Sequence, residues 1–196
     1  MMRIYVATKN KHKLKEIAQI LEGYEVVSAH DYIEGDIDVA ETGNTFLENA
    51  SLKAKALSMM LDGYVIADDS GISVDVLEGA PGIYSARFAG PNATDADNNE
   101  KLLAVMEQVP DGERGASYVC VIALAIGGAV EKTFGGMCQG EIAREYRGEG
   151  GFGYDVIFLL HDGRHMAELS DEEKNSISHR NMALQSLKEY LAGKTG

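Results

Sequence analysis

Cysteine is nearly absent from this 196-residue chain, which carries two, Cys120 and Cys138, and no CxxC pair. That excludes a zinc ribbon and a disulfide scaffold, and it predicts a reducing, cytoplasmic setting. Basic residues are scarce: 18 Lys and Arg stand against 31 Asp and Glu, for a net charge of −13. A long, non-specific grip on nucleic acid needs a basic face, so no nucleic-acid partner is expected. An anionic small molecule is still admissible where Lys, Arg and backbone N–H groups gather locally, or where a metal bridges. Long apolar runs are missing as well, and none approaches the ~20 residues that cross a bilayer. No charged-then-apolar leader opens the sequence, so no membrane partner is expected. There is no internal repeat and no low-complexity tract.

What is present is an ordinary globular composition, 45% hydrophobic and 25% charged. The periodicity predicts a strand over 3–8 and a helix over 11–23, with Leu14, Ile17, Ala18 and Leu21 at helical spacing and Gly23 as a stop. A short strand follows at 24–29. A long helix is predicted over 45–61, opened by a capping box of Thr45 and Glu48. A buried strand covers 64–68. Thr94 is the expected N-cap of a helix over 94–109, with Pro110 beyond its end. Strands at 116–126 and 129–138 flank Gly127 and Gly128, a hairpin signal. A further strand pair is expected at 155–160 and 165–169. The segment 170–193 is largely helical, opened by a Ser170–Glu173 capping box. The order predicts an α/β fold with a mixed, twisted sheet and flanking helices, one domain of two lobes over 1–196. The irregular segment 77–97 is either a functional loop or a plain connection.

Some motifs fail on context. Gly148 to Gly153 satisfies G-x-G-x-x-G, but a strand pattern follows where a dinucleotide site needs a helix. Gly193 to Thr195 resembles the end of a P-loop, yet Lys188 stands where its first glycine belongs. His161 and His165 flank a turn at Gly163 and read as surface histidines rather than zinc ligands. No G-x-S-x-G elbow marks a serine hydrolase.

Four stretches retain chemical content. Ala7 to Lys13 joins the first strand to its helix, where outward N–H groups, the helix dipole and Lys9, Lys11 and Lys13 suit a phosphate; a solvated turn is the plain alternative. Asp68 and Asp69 close an apolar run, and either bind a hard cation or cap a turn with Ser70 and Gly71. Glu41 could complete a two-carboxylate metal site with Asp69. Asn49 and Lys53 share a helix face, and Lys53 could reach a phosphate. Around Phe152, glycines leave an aromatic ring open for base stacking. Asp155, Lys174, His179 and Arg180 are polar neighbours, provided the helix breaks near Ser178. Ordinary surface charges are the alternative for this stretch.

Taken in order, the segments ATKNKHKLKEI, ETGNTFLENA, ADDSGISVDVLEGAPGIYSAR, GEGGFGYDVIF and AEL…EEK…ISHR make the chain resemble the inosine/xanthosine triphosphate pyrophosphatases. That family often has glycine where Lys9 and His12 stand here, and proline at Val156. The resemblance implies an elongated, two-lobed fold with a cleft between the lobes, usually a homodimer. It implies Mg²⁺-assisted hydrolysis of noncanonical purine nucleoside triphosphates, a small-molecule substrate, to the monophosphate and pyrophosphate. Thr8, Asn10, Lys13 and Lys53 then resemble the phosphate grip, in a substrate-binding loop with Lys9, Lys11 and His12. Glu41 and Asp69 resemble metal ligands, Asp69 also being the catalytic proton acceptor and Asp68 a supporting acid. Ser70 lies beside the substrate. Phe152, Gly153, Tyr154, Asp155, Lys174, His179 and Arg180 resemble the nucleoside pocket. A phosphatase or kinase on the same carboxylates, or a non-catalytic nucleotide sensor, are the competing readings.

Overall fold

Alternating side chains on three strands organise the first half of the chain. A computed structural model describes residues 1–35 and 37–194. Thr195 of the P-loop-like segment therefore lies outside the described residues. β1 (Arg3–Val6) pairs in parallel with β2 (Glu25–Ser28) and with β3 (Tyr64–Val74). β4 (Gly115–Ile126) and β5 (Ala129–Ile142) form the predicted hairpin. Gly127 and Gly128 both take positive φ, 57° and 83°, as a tight two-residue hairpin turn demands. β6 (Phe158–Leu159) pairs antiparallel with β5, completing a six-stranded mixed sheet in the order β2-β1-β3-β4-β5-β6.

The helices are α1 (Lys11–Ile20), α2 (Phe46–Ser58), α3 (Asp95–Val105), α4 (Asp171–Ile177) and α5 (His179–Ala192). Side-chain caps fix their starts: Asn10 for α1, Thr45 for α2, and full capping boxes at Thr94–Asp97 and Ser170–Glu173. The box expected at Thr45 forms only by half, because the Glu48 carboxylate accepts from the Asn44 N–H at 2.6 Å. No helix of the described residues is long and apolar enough to cross a membrane.

The chain divides into two compact units. The first comprises Met1–Asp69, Cys120–Gly136 and His179–Gly196; the second comprises Ser70–Val119 and Met137–Ser178. In the first unit the strands have two different faces. Ile4, Val6, Ile66, Ile122 and Leu124 pack with Ile17 of α1 and with Leu184 and Leu187 of α5. Tyr5, Ala7, Val65, Ala67, Ala123 and Ala125 pack with Ala50, Ala54 and Leu57 of α2. Alanine on both sides of that layer lets the α2 backbone lie close to the sheet. The second unit has its own core, in which Ile72, Val74, Leu102, Met106, Tyr118, Ile142 and Phe158 are buried together. Arg114 is buried there and donates to four carbonyls, those of Met106, Val109, Ile142 and Ala143.

Three expectations are corrected. β3 does not end at the aspartates but runs on to Val74, so the turn-cap reading of Asp68 to Gly71 falls. The pair at 155–160 and 165–169 shrinks to the two residues of β6 and a bridge from Leu159 to His165; Asp155–Ile157 and Met166–Glu168 are 3-10 turns. His165 is buried, not a surface histidine, with its Nδ1 2.7 Å from the Val156 carbonyl.

Candidate active site

The period of two in β3 sorts its aspartates. Even-numbered Ile66 belongs to the α1/α5 layer, and odd-numbered Val65 and Ala67 to the α2 layer. Asp68 follows the first set and Asp69 the second, because successive strand residues point to opposite faces.

Asp68 is fully buried and fully engaged. Its Oδ1 accepts from Lys13 Nζ at 2.6 Å; its Oδ2 accepts from Arg180 Nε at 2.8 Å and from the Cys120 thiol at 3.2 Å. Arg180 also pairs with Glu16 of α1. Burial opposes the charge on Asp68, yet Arg180 and Lys13 overcome it and hold the carboxyl well below the usual range. Burial and then Asp68 push the Cys120 thiol well up, and burial does the same at Cys138. Both cysteines are free and buried. Neither should be alkylated in the native protein at neutral pH, since the thiolate is the reactive form; rapid labelling before unfolding would contradict this packing.

Asp69 is set differently. Its Oδ1 is 3.2 Å from Lys53 Nζ, and that ammonium also donates to Glu41 Oε1 at 2.7 Å and to the Asp68 carbonyl at 2.9 Å. The other carboxylate oxygen, Oδ2, is buried with no hydrogen-bond partner among the described residues. Burial raises the Asp69 pKa; Lys53 pulls it down, but nearby Glu41 pushes it up again, and the net direction is upward. Burial disfavours the Lys53 charge, but Asp69 and Glu41 prevail and raise its pKa. One lysine thus serves two carboxylates. Two adjacent aspartates are driven in opposite directions, one to a permanent anion and one toward proton acceptance.

No group of three His, Cys, Asp or Glu capable of holding a metal occurs among the described residues. Glu41 and Asp69 do converge on one cationic atom, and an unpartnered carboxylate oxygen lies beside it. A hard divalent cation needs only one or two carboxylates when phosphate oxygens and water complete its shell. The donor set therefore fits such a cation. Asn49 holds the backbone that carries Glu41, its Oδ1 accepting from the Gly43 N–H at 2.8 Å.

The first loop is more closed than its sequence suggests. Asn10 Oδ1 accepts from the N–H groups of His12 and Lys13 at 2.9 and 3.1 Å, and the Asn10 N–H donates to Thr8 Oγ1. Two of the helix N–H groups expected to face an anion are thus already capped. Lys13 turns inward to Asp68, while Lys9, Lys11 and His12 are exposed.

The residues expected around the nucleoside fall into both units. Phe152, Gly153, Tyr154, Asp155 and Lys174 belong to the second, with Ser70 as its first residue, while His179 and Arg180 belong to the first. Asp155 is buried and organises its group: Oδ2 accepts from Lys174 Nζ at 2.6 Å and from the Phe152 N–H at 3.0 Å, and Oδ1 accepts from the Tyr118 hydroxyl at 2.9 Å. The Lys174 ammonium lies 4.5 Å from the Phe152 ring centroid. Tyr154 is buried, with its hydroxyl donating to the Ser85 carbonyl at 2.6 Å. The helix break falls at Ser178, which is extended (φ −70°, ψ 154°) and sets His179 and Arg180 in the first turn of α5. Arg180 is buried against Asp68 and Glu16, so the guanidinium expected to read a base also anchors β3.

Glu16, Cys120, Tyr118, Asp95 and Asn99 escaped the sequence reading. A buried arginine demands counter-charges, which is the signal that could have led to Glu16.

A mixed α/β fold with a buried lysine–carboxylate centre defines a protein equipped for anion and cation chemistry. The chain belongs to the Ham1 family, whose model matches residues 4–190. It is 48% identical over 193 residues to a dITP/XTP pyrophosphatase of Desulforamulus reducens, covering 97% of this chain and 96% of that protein. It is 50% identical to the dITP/XTP pyrophosphatase of Geobacillus kaustophilus over 192 residues, 96% and 94% of the two chains. Among solved structures, the Ham1 protein of Staphylococcus aureus superposes with a TM-score of 0.87 at 44% identity, over 98% of this chain and 99% of that one.

Proposed function

We propose that this chain hydrolyses noncanonical purine nucleoside triphosphates (ITP, dITP and XTP) to the nucleoside monophosphate and pyrophosphate, clearing them from the nucleotide pool. The observation that carries the reading is the pair of adjacent aspartates held by different cations, Asp68 by Arg180 and Lys13 and Asp69 by Lys53, in a chain about half identical to proteins named dITP/XTP pyrophosphatases. Residues 1–196 act as one catalytic domain. The family resemblance supports a homodimer, and the two free cysteines support a cytoplasmic setting.

Thr8, Asn10, Lys13 and Lys53 serve the triphosphate, with Lys9, Lys11 and His12 adding charge around it. Phe152, Gly153, Tyr154, Asp155 and Lys174, with His179 and Arg180, serve the nucleoside, and Ser70 lies beside the substrate. Asp69 accepts a proton from water as the water oxygen bonds to the α-phosphorus. The bond from that phosphorus to the bridging oxygen breaks, and pyrophosphate leaves with its electron pair. Lys13 and Lys53 offset the charge that builds on the leaving group. When bound by Glu41 and Asp69, Mg²⁺ supplies phosphate-charge neutralisation and a more acidic water. Asp68 supports the site as a fixed anion that orients Lys13.

Hypoxanthine and xanthine present an O6 acceptor and an N1–H donor, and adenine the reverse. Fixed donors in the pocket leave adenine with unpaired buried groups, a penalty of on the order of 100-fold or more in kcat/KM. Product analysis with ITP and ATP side by side tests the reading. Pyrophosphate from ITP, with ATP far slower, is expected. Orthophosphate would indicate a phosphatase and no product a sensor; comparable rates on both would remove the pool-cleansing role.

The raised pKa of Asp69 predicts a pH dependence in the metal-free chain. Its carboxyl should titrate above the ordinary aspartate value of about 3.9. Lys53 lowers the Asp69 pKa, so Lys53→Met should move that titration further up, as followed by carboxyl NMR without divalent cations. A titration that stays put or moves down would separate Lys53 from Asp69.

A further inference from the structure

Gly153 is held from both sides by one helix. Its N–H donates to Asp95 Oδ2 at 2.7 Å, and its carbonyl accepts from Asn99 Nδ2 at 2.9 Å. Asp95 and Asn99 are four apart on α3 and therefore share a face. The carbonyl partner fixes the orientation of the Asn99 amide, so the nitrogen points at Gly153.

The helix is itself anchored. Asn98 donates to the Ala86 carbonyl at 3.1 Å and accepts from the Ala89 N–H at 2.8 Å. The Tyr154 hydroxyl rests on Ser85 of the same segment. α3 is thus a fixed reference for the turn that follows Phe152.

Gly153 has a left-handed backbone, φ +62°, and an added Cβ would meet nothing within 4 Å. The glycine is there for its backbone conformation, not for space. That conformation closes the turn in which the Asp155 N–H meets the Phe152 carbonyl and the Asp155 carboxylate meets the Phe152 N–H. The two α3 contacts tie Gly153, and with it the turn that follows Phe152, to that helix.

We propose that Asp95 and Asn99 are positioning residues for the nucleoside end of the substrate, acting through Gly153 to set Phe152 and Asp155. The proposal rests on the function argued above. Neither residue touches the reacting atoms. Asp95 works as an acceptor and needs no negative charge, so Asn can replace it; Asn99 works as a donor, which Asp cannot supply.

The test uses the full chain and two probes, inosine monophosphate for the nucleoside end and inorganic pyrophosphate for the phosphate end. For Asp95→Ala and Asn99→Ala, the Kd for inosine monophosphate and the KM for ITP should each rise about tenfold, the worth of one such hydrogen bond. The inhibition constant for pyrophosphate and kcat should change by less than about twofold on the same scale. Asp95→Asn should restore tight monophosphate binding, and Asn99→Asp should not. Unchanged monophosphate binding in both alanine variants overturns the proposal, as does parallel weakening of both probes, which marks a merely structural role. If the unaltered chain releases pyrophosphate from ITP while the variants behave like it, only this inference fails. If it neither turns over ITP nor binds the monophosphate, the functional reading fails and takes this one with it.

Discussion

Asp69→Asn should abolish pyrophosphate release from ITP while leaving the protein at least as heat-stable as before. The turnover loss follows from the roles proposed for Asp69, proton acceptor and cation ligand together, a factor of at least about 10²–10⁴ from the acid–base part alone. The stability effect follows from the sign of the pKa shift. The folded protein raises the pKa of Asp69. A raised folded value means that the group favours folding below its unfolded pKa of about 3.9, and that this contribution is lost as pH rises through the folded value. At neutral pH the ionised Asp69 is therefore a cost, and a neutral amide of the same shape removes it. Lys53 keeps Glu41 as a partner at 2.7 Å. Melting curves and a pyrophosphate assay on the same preparation check both halves. Turnover near that of the unaltered chain would remove Asp69 from catalysis, and a melting temperature several degrees lower would show that its charge is structural.

Arg180→Met should instead destabilise the chain severely. Arg180 is 1% exposed, and its removal leaves Asp68 and Glu16 without their shared cation. Breaking a buried pair by deleting one partner costs about 3–5 kcal/mol, or on the order of 10 °C in Tm at this chain length. Adding Asp68→Asn to the same chain should recover part of that loss, because it withdraws one stranded charge. The acid limb moves too. Asp68 is depressed when folded, so its contribution is present above its unfolded pKa and fades as pH falls through the lower folded value. Without Arg180 the folded value rises, and acid unfolding begins at higher pH. Denaturant curves for the single and double variants at several pH values test this. A loss under about 1 kcal/mol would show that Arg180 is not the anchor of Asp68.

Much of this was legible in the chain itself, for local reasons. The strand–helix–strand opening, the Gly127–Gly128 hairpin and the break at Ser178 are written in short-range patterns. β3 was read too short because Asp68, Asp69, Ser70 and Gly71 are poor strand formers. They are extended there because neighbouring strands and cations on both faces hold them, which no local window contains. Glu16 could not be singled out from a short window, because its partner, Arg180, is 164 positions away. His165 looked like a turn residue, and its burial depends on the Val156 carbonyl and on a core assembled from distant segments. The residue types of the site could be read from sequence, and the family resemblance already set the two aspartates apart; the side chains that hold each of them could not be read, because they come from distant segments packed on opposite faces.

The alternation along β3 also constrains how this protein can change. Shifting a strand by one position exchanges its two faces. A one-residue deletion between Tyr64 and Ala67 would bring Asp69 to the arginine-facing position, Ser70 to the one beside Lys53, and Asp68 into the alanine layer under α2. Lys53 would lose its aspartate although the aspartate pair itself is unaltered, as though the sheet imposed a reading frame of its own on the sequence.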